Sequence, residues 1–180
     1  MRRRALRLTL ALPLLVTLGG CQAWRIIQRA ATHRIIRVPS EGMSPTIKPG
    51  DMAAVEEGYY GEQPVRRFDV VTFKLSPENF SEIMTGMDEN AVYVQRVVGL
   101  GGETLEIKGG RIYVDGSALE ETFAAVPFAE EVPFGPLKIP PDEVFLLGDN
   151  RPNSLDGRYW ARPTLKRRQI LGKVVEIFPQ

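Results

Sequence analysis

Hydrophobic residues along this chain come in short runs, and Gly, Pro or Asp bounds each of them. Short apolar runs between turn formers are typical of β-strands. The pattern predicts strands over residues 52–55, 70–74, 91–99, 104–108, 111–114, 144–147 and 170–178. Lys108-Gly109-Gly110-Arg111 is a two-residue hairpin signal, and Asp115-Gly116 marks the next turn. The sequence therefore predicts an all-β domain of mainly antiparallel sheets.

Two segments interrupt this pattern. Residues 117–141 are rich in Glu and Pro and have weak periodicity, so we expect them to form an excursion from the sheet. Residues 76–89 are polar, and we expect a second excursion there with one helical turn. We divide the chain into a targeting or anchor segment (1–21), a tether (22–37) and a β-domain (38–180).

Composition limits the possible functions. A chain of 180 residues with 43% hydrophobic content can bury one sizeable core, which predicts one domain with an N-terminal appendage. The net charge of +1 gives no reason to expect a nucleic acid as partner. Cys21 is the only cysteine, so an intrachain disulfide is excluded.

The N-terminus has the features of a targeting segment. Three arginines follow Met1, and an apolar stretch then runs from Leu8 to Gly20. This stretch of about thirteen residues is shorter than the roughly twenty that span a bilayer as a helix, and it fits the apolar region of a signal peptide. Its end, Leu18-Gly19-Gly20-Cys21, resembles the lipobox of bacterial lipoproteins, which implies acylation of Cys21. The alternative is an uncleaved membrane anchor with its positive end in the cytosol.

Both alternatives predict a protein of the bacterial cell envelope that is held on the membrane with its β-domain on the extracytoplasmic side. The tether carries Trp24 and several isoleucines among four arginines and the lone His33. It could rest on the lipid headgroups.

The segment Gly148 to Trp160 (GDNRPNSLDGRYW) follows a short apolar run and combines turn formers, charges and aromatics. Such a composition is compatible with a self-capped surface turn. The order of its residues resembles G-D-N-R-x-N-S-x-D-S-R-Y-W-G, a segment of bacterial type I signal peptidases, the Ser/Lys membrane proteases that remove secretory leaders. The chain departs from that pattern at Gly157, where the family usually has Ser, and at Ala161, where it usually has Gly.

Three further segments resemble blocks of the same family, in the family's order. Residues 38–47 (VPSEGMSPTI) resemble the nucleophile block P-S-x-S-M-x-P-T-L. Residues 68–73 (FDVVTF) resemble G-D-I-V-V-F, and residues 93–103 (YVQRVVGLGGE) resemble Y-I-K-R-V-V-G-L-P-G-D, which carries the general base. The resemblance therefore implies the antiparallel signal-peptidase/LexA-like β-fold and no metal or other cofactor.

Both positions of the family's catalytic dyad are substituted. The nucleophile is the Ser before Met, and this chain has Gly42 there; the base is the Lys before Arg-Val-Val, and this chain has Gln95. Glycine has no nucleophilic side chain, and an amide does not accept a proton near neutral pH. Nucleophile and base work as one unit, so the two substitutions together predict lost catalysis.

The resemblance also assigns roles around the dyad. Ser40 aligns with a serine that helps to stabilise the oxyanion, although a Ser after Pro39 also suits turn capping. Ser154 aligns with the serine that orients the base. Asp156 and Arg158 align with an ion pair that supports the site. Without a base to orient, we expect these three residues to hold the loop in place. Met43 aligns with a residue that shapes the cleft, and we expect it to be core.

The sequence leaves a rearranged active site open. Ser40 and Ser44 lie two residues on either side of Gly42, about 6 to 7 Å away in an extended segment. Lys48 and Lys74 are the nearest candidate amines in sequence. Three hypotheses remain: an inactive signal peptidase homologue that binds extended peptides or leader ends, an active leader peptidase with rearranged groups, and a non-enzymatic envelope lipoprotein.

Overall fold

The structure, a computed structural model, describes residues 18–86, 88, 90–123, 125–128 and 133–180. It contains one α-helix, α1 (Leu18–Ala30), among these residues. Eleven strands follow in chain order: β1 (Arg34–Arg37), β2 (Met52–Glu57), β3 (Val70–Phe73), β4 (Tyr93–Gly99), β5 (Thr104–Lys108), β6 (Arg111–Val114), β7 (Ser117–Ala118), β8 (Phe134–Lys138), β9 (Glu143–Leu147), β10 (Thr164–Lys166) and β11 (Ile170–Phe178).

The strands form two antiparallel sheets. The larger sheet has the strand order β1-β2-β11-β3-β4-β9-β10, and the smaller one has the order β7-β6-β5-β8. Every strand pair within the sheets is antiparallel. The predicted fold class, all-β with mainly antiparallel sheets, is confirmed.

Two predicted hairpins form as their turn residues require. Lys108 pairs with Arg111 across Gly109 and Gly110, whose φ angles are 53° and 70°. Asp115 and Gly116 also have positive φ angles and connect β6 to β7. Two consecutive residues with positive φ match the twist of the flanking strands, which is why glycine is favoured at such turns.

Strand β9 joins two hydrophobic cores. Val144 and Leu146 pack in a cluster with residues of β3 and β4, whereas Phe145 and Leu147 pack in a second cluster with residues of β5 and β6. All five residues of β9 are buried. A strand that is covered on both faces loses the alternation of apolar and polar residues and reads as a continuous apolar run.

The structure contains four strands that the sequence did not predict: β1, β7, β8 and β10. Residues 34–37, expected to be part of the tether, form the edge strand β1 on β2. The predicted excursion at 117–141 contains the two-residue β7 and strand β8, in which Gly135 and Pro136 obscure the pattern. Pro is compatible with β8 because this strand lies at a sheet edge. Strand β10 was not predicted, since its three residues are too few to show a period.

The segment 76–89 contains two short 3-10 helices, Pro77–Asn79 and Glu82–Met84, where one helical turn was expected. Helix α1 was not predicted. The predicted targeting segment lies outside the described residues up to residue 17, and Cys21 falls within α1. No helix of the described part of the chain is long and apolar enough to cross a membrane.

Candidate active-site cleft

An open cleft of about 510 Å³ lies where the end of β1, the segment after it, the start of β4 and the loop after β9 meet. Its lining is mainly apolar and includes Ile36, Val38, Val92, Val94 and Leu155. Tyr93 also lines it and donates its hydroxyl to the carbonyl of Asp88 at 2.7 Å. Burial raises the pKa of Tyr93, and the charge of Asp88 raises it further, so the phenol stays neutral.

Gly42, at the position that the resemblance assigns to the nucleophile, lies on one wall of this cleft. Its carbonyl accepts a hydrogen bond of 3.0 Å from the backbone N–H of Asn150, and the side-chain amide of Asn150 donates to the carbonyl of Glu41 at 3.2 Å. A Cβ atom at residue 42 would lie 3.8 Å from Ser154 Oγ and 3.9 Å from the Asn153 carbonyl oxygen. These are ordinary van der Waals distances, so a side chain fits here.

Gln95, at the position assigned to the base, lies on β4 and is buried. Its Nε2 donates to the Leu155 carbonyl at 3.0 Å and lies 3.5 Å from Ser154 Oγ. Its Oε1 is buried without a hydrogen-bond partner among the described residues. The fold thus brings Gly42, Gln95 and Ser154, which are far apart in sequence, to one place.

The serines and lysines considered for a rearranged active site do not form a pair of nucleophile and base. Ser40 is exposed on the cleft wall. Ser44 is half-buried in a turn, and its backbone N–H donates to the carbonyl of Glu41. Lys48 and Lys74 are both exposed, and neither lines the cleft. The described residues around the cleft include no Lys or His, so the structure brings no amine or imidazole to Ser40.

Asp156 and Arg158 form a buried ion pair in the loop that carries Ser154. Asp156 Oδ1 accepts from Arg158 Nε at 2.7 Å, and Asp156 Oδ2 accepts from the Gly148 N–H at 3.1 Å. Arg158 also donates to the Arg151 carbonyl at 2.6 Å. Since both charges are almost fully buried, their mutual pairing and these backbone bonds are what make their burial tolerable. Met43 is buried in a cluster with Val38 and Ile47, as expected.

Sequence reasoning missed a second buried ion pair on the same loop. Arg96 donates to Asp149 from Nε at 2.8 Å and from Nη2 at 2.5 Å, and Thr46 donates its hydroxyl to the same carboxylate. An arginine within the apolar run of β4 was the available signal, because a buried charge requires a partner.

A strap, defined here as residues 119–123 and 125–128, covers the guanidinium groups of Arg96 and Arg151. Phe123 stacks over the Arg96 guanidinium at 3.9 Å, and Phe128 stacks over Arg151 at 4.7 Å. Glu121 accepts a bidentate pair of hydrogen bonds from Arg151. The backbone N–H of Val126 donates to the Asp149 carbonyl at 2.9 Å. Part of the predicted excursion therefore packs against the loop that holds Ser154.

Fold and site define a mainly antiparallel β-protein with an apolar, open cleft beside a loop that buried ion pairs hold in place. Over residues 7–178 the sequence matches the family described as "Signal peptidase, peptidase S26". The chain belongs to this family, and the predicted resemblance is confirmed.

Similar proteins include a signal peptidase I of Leptolyngbya laminosa, 36% identical over 78% of this chain and 66% of that protein. A probable signal peptidase I-2 of Synechocystis is 32% identical over 76% of this chain and 58% of its own length. The chain thus spans about three fifths to two thirds of these relatives. The solved structure of a signal peptidase I from Enterococcus faecalis covers 63% of this chain and 98% of its own at 26% identity, with a TM-score of 0.44.

Proposed function

We propose that this protein is a signal peptidase I homologue without peptidase activity that binds extended peptides or leader ends in its cleft. The observation that carries the proposal is the pair Gly42 and Gln95, which stand next to Ser154 where the family resemblance assigns a nucleophile and a base. The chain retains Ser154 and the buried ion pair of Asp156 with Arg158 beside these two positions.

The chemistry of amide hydrolysis supports the loss of activity. A Ser/Lys dyad needs a hydroxyl next to an amine whose pKa is lowered by burial, so that the neutral amine can take the proton. Gln95 offers Ser154 an amide N–H, which is a donor, and its carbonyl oxygen is too weak a base to take a proton. Ser154 Oγ accordingly has no general base among the cleft groups described above.

The geometry of the cleft supports a binding role. An extended peptide adds to strand edges through its backbone, and these hydrogen bonds do not depend on the side chains of residues 42 and 95. The lining is mainly apolar, and the absence of a side chain at Gly42 leaves additional room. The expected ligand is an extended apolar peptide such as the end of a secretory leader. We expect no nucleic acid partner, no cofactor and no metal.

We further propose that the protein is held on the membrane of the bacterial envelope with the β-domain on the extracytoplasmic side. The apolar residues 8–20 behind a basic start support this location. Acylation of Cys21 is the first form of anchoring, and an uncleaved apolar anchor is the second. Mass spectrometry of the membrane-extracted protein distinguishes them, because a diacylglycerol adduct on Cys21 identifies the lipoprotein form.

Restoration of the dyad is the most informative test of the proposed inactivity. The full chain, its Gly42→Ser and Gln95→Lys single variants and the double variant are incubated in lipid vesicles with a preprotein that bears a leader. We expect cleavage by the double variant alone, because a serine fits at position 42 and an amine at position 95 would lie beside Ser154. Cleavage by the unmodified chain would contradict the proposal.

An active enzyme with rearranged catalytic groups is the second candidate, and the close match of the loop around Ser154 to the family pattern favours it. The cleft still contains two serines, Ser40 and Ser154. A serine-reactive acylating inhibitor would label an activated serine, and Ser40→Ala, Ser44→Ala and Ser154→Ala would identify it. Absence of labelling under conditions that label an active signal peptidase would exclude this candidate.

A further inference from the structure

Helix α1 has two different faces. Ile26 and Arg29, three residues apart, are half-buried toward the β-domain. Trp24 and Ile27, also three residues apart, are 60% and 61% exposed. Residues three apart lie on one face of a helix, so the two large apolar side chains form a common exposed surface that faces away from the domain.

The inner face of α1 is fixed to the larger sheet by charge. Arg29 donates from Nε to Glu176 Oε2 at 2.6 Å, and Arg25 donates to the other oxygen of the same carboxylate. Glu176 lies on β11, and its side chain is only 15% exposed. The Arg25 guanidinium also lies over the ring of Phe178 at 5.8 Å. Two arginines one turn apart thus bind the same carboxylate. Their hydrogen bonds hold the helix in one orientation on the sheet.

The surroundings of the outer face indicate a lipid surface. The described part of α1 starts at Leu18, and the sequence before it, residues 8–17, is apolar apart from Thr9, Pro13 and Thr17. Whether Cys21 carries a lipid or the apolar segment stays in the membrane, the anchor brings the start of α1 to the bilayer. The sequence of α1 contains no Asp or Glu, and two arginines against one Glu176 leave a net positive charge. Trp at the boundary between an apolar and a wet region is typical of interfacial helices.

We infer that α1 lies flat on the bilayer surface with Trp24 and Ile27 among the lipids, while the contacts of Arg25 and Arg29 with Glu176 hold the β-domain against it. This inference rests on the membrane anchoring proposed above. β1 begins four residues after the helix and ends at the cleft, where Ile36 and Arg37 are lining residues. Since a four-residue strand is about 13 Å long, the docked helix keeps the cleft close to the lipid surface.

The two tryptophans provide the test, because Trp24 is exposed on α1 and Trp160 is buried in the core of the β-domain. The full chain is placed in phosphatidylcholine vesicles whose acyl chains carry bromine at a shallow or a deep position. Two single-Trp variants are compared: Trp160→Phe, which retains Trp24, and Trp24→Phe, which retains Trp160. We expect bromine to quench Trp24 at least twofold more than Trp160, and shallow bromine to quench it more than deep bromine.

The outcomes separate this inference from the proposed anchoring. Failure of the full chain to associate with vesicles would overturn both. Association with equal quenching of Trp24 and Trp160 would overturn the inference alone. Stronger quenching by deep bromine than by shallow bromine would also overturn it, because the helix would then be inserted rather than flat on the surface.

The contact with Glu176 is tested separately with a matched control. Glu176→Gln removes the charge that Arg25 and Arg29 share, whereas Glu57→Gln removes the partner of Arg34, a neighbouring arginine outside the helix. We expect amide hydrogen exchange in α1 to become about two- to fivefold faster in Glu176→Gln, with no change in Glu57→Gln. Equal exchange in the two variants would show that the ion pairs do not hold the helix on the domain.

Discussion

At the scale of single residues, two glycines in and beside the cleft differ in what their neighbours allow. A Cβ at Gly42 would meet no atom closer than 3.8 Å. A Cβ at Gly157 would lie 2.7 Å from the Pro163 carbonyl oxygen and 2.8 Å from Phe145. Both positions depart from the serine that the family resemblance expects, but only at position 157 has the packing closed around the glycine. The hydroxyl can therefore return at residue 42 more readily than at residue 157.

This contrast predicts different stabilities for two equivalent substitutions. Gly157→Ser should lower the free energy of unfolding by about 1–3 kcal/mol, because the added atoms overpack a buried site between backbone and ring. Gly42→Ser should change it by less than about 1 kcal/mol. Urea denaturation of both variants measures the difference. Equal losses of stability would show that the surroundings of Gly157 relax to admit a side chain.

At the scale of elements, the strap of residues 119–123 and 125–128 and helix α1 each attach to the domain through arginines. The strap neutralises Arg151 with Glu121 and covers Arg96 and Arg151 with aromatic rings. In α1 the arginines belong to the attached element, and Glu176 belongs to the sheet. A guanidinium suits both arrangements because it forms bidentate hydrogen bonds in its plane and stacks through its faces.

Loss of the Glu121 charge should loosen the loop that holds Ser154. In Glu121→Gln the Arg151 guanidinium, whose side chain is 1% exposed, keeps its charge in a buried place without its carboxylate. We expect a loss of about 1–3 kcal/mol in the free energy of unfolding and faster hydrogen exchange in residues 148–158. Glu120→Gln changes the exposed neighbour and is the matched control. Similar behaviour of the two variants would mean that the strap does not hold the loop.

Acid should release helix α1 from the sheet. Hydrogen bonds from Arg29 and then Arg25 lower the pKa of Glu176 below its ordinary value of 4.5. A carboxylate with a lowered pKa stabilises docking fully above pH 4.5, and this contribution is lost as the pH falls through the lowered pKa. In the Trp160→Phe background, the fluorescence anisotropy of Trp24 should fall below pH 4.5. An identical acid transition in Glu176→Gln would assign it to another group.

At the scale of the whole molecule, β9 makes the two sheets one cooperative unit. Its alternate residues belong to different cores, with Leu146 in the cluster of the larger sheet and Leu147 in the cluster of the smaller sheet. The next residues of the chain form the loop that holds Ser154. Because β9 belongs to both cores and leads directly into this loop, a loss of packing in either core should also change the geometry of the cleft.

The coupling predicts that the two leucines of β9 report on the same unfolding transition. Leu146→Ala and Leu147→Ala should each lower the free energy of unfolding by about 2–5 kcal/mol, because both side chains are fully buried. Denaturation followed by the fluorescence of Trp160, which lies in the first cluster, should coincide with denaturation followed by far-UV circular dichroism. Separate transitions in the Leu147→Ala variant would show that the smaller sheet unfolds by itself.

The sequence by itself determined the fold class, seven of the strands, two hairpin turns and the family. Each of these rests on neighbours in the chain: apolar runs, paired turn residues and ordered blocks. It also identified Gly42 and Gln95 as the substituted positions of the resemblance. The sequence did not predict strands β1 and β10, because the formation of a short edge strand depends on the strand with which it pairs.

Only the tertiary structure decided which groups meet at the cleft and how much room they have. The contacts at these sites join residues that lie 53 to 151 positions apart in the sequence. They are the contact of Gln95 with Ser154, the pairing of Arg96 with Asp149, and the ion pairs of Arg25 and Arg29 with Glu176. The room at Gly42 and its absence at Gly157 are likewise set by atoms from distant segments. Close packing and the pairing of buried charges are properties of what the fold brings together, and no local pattern records them.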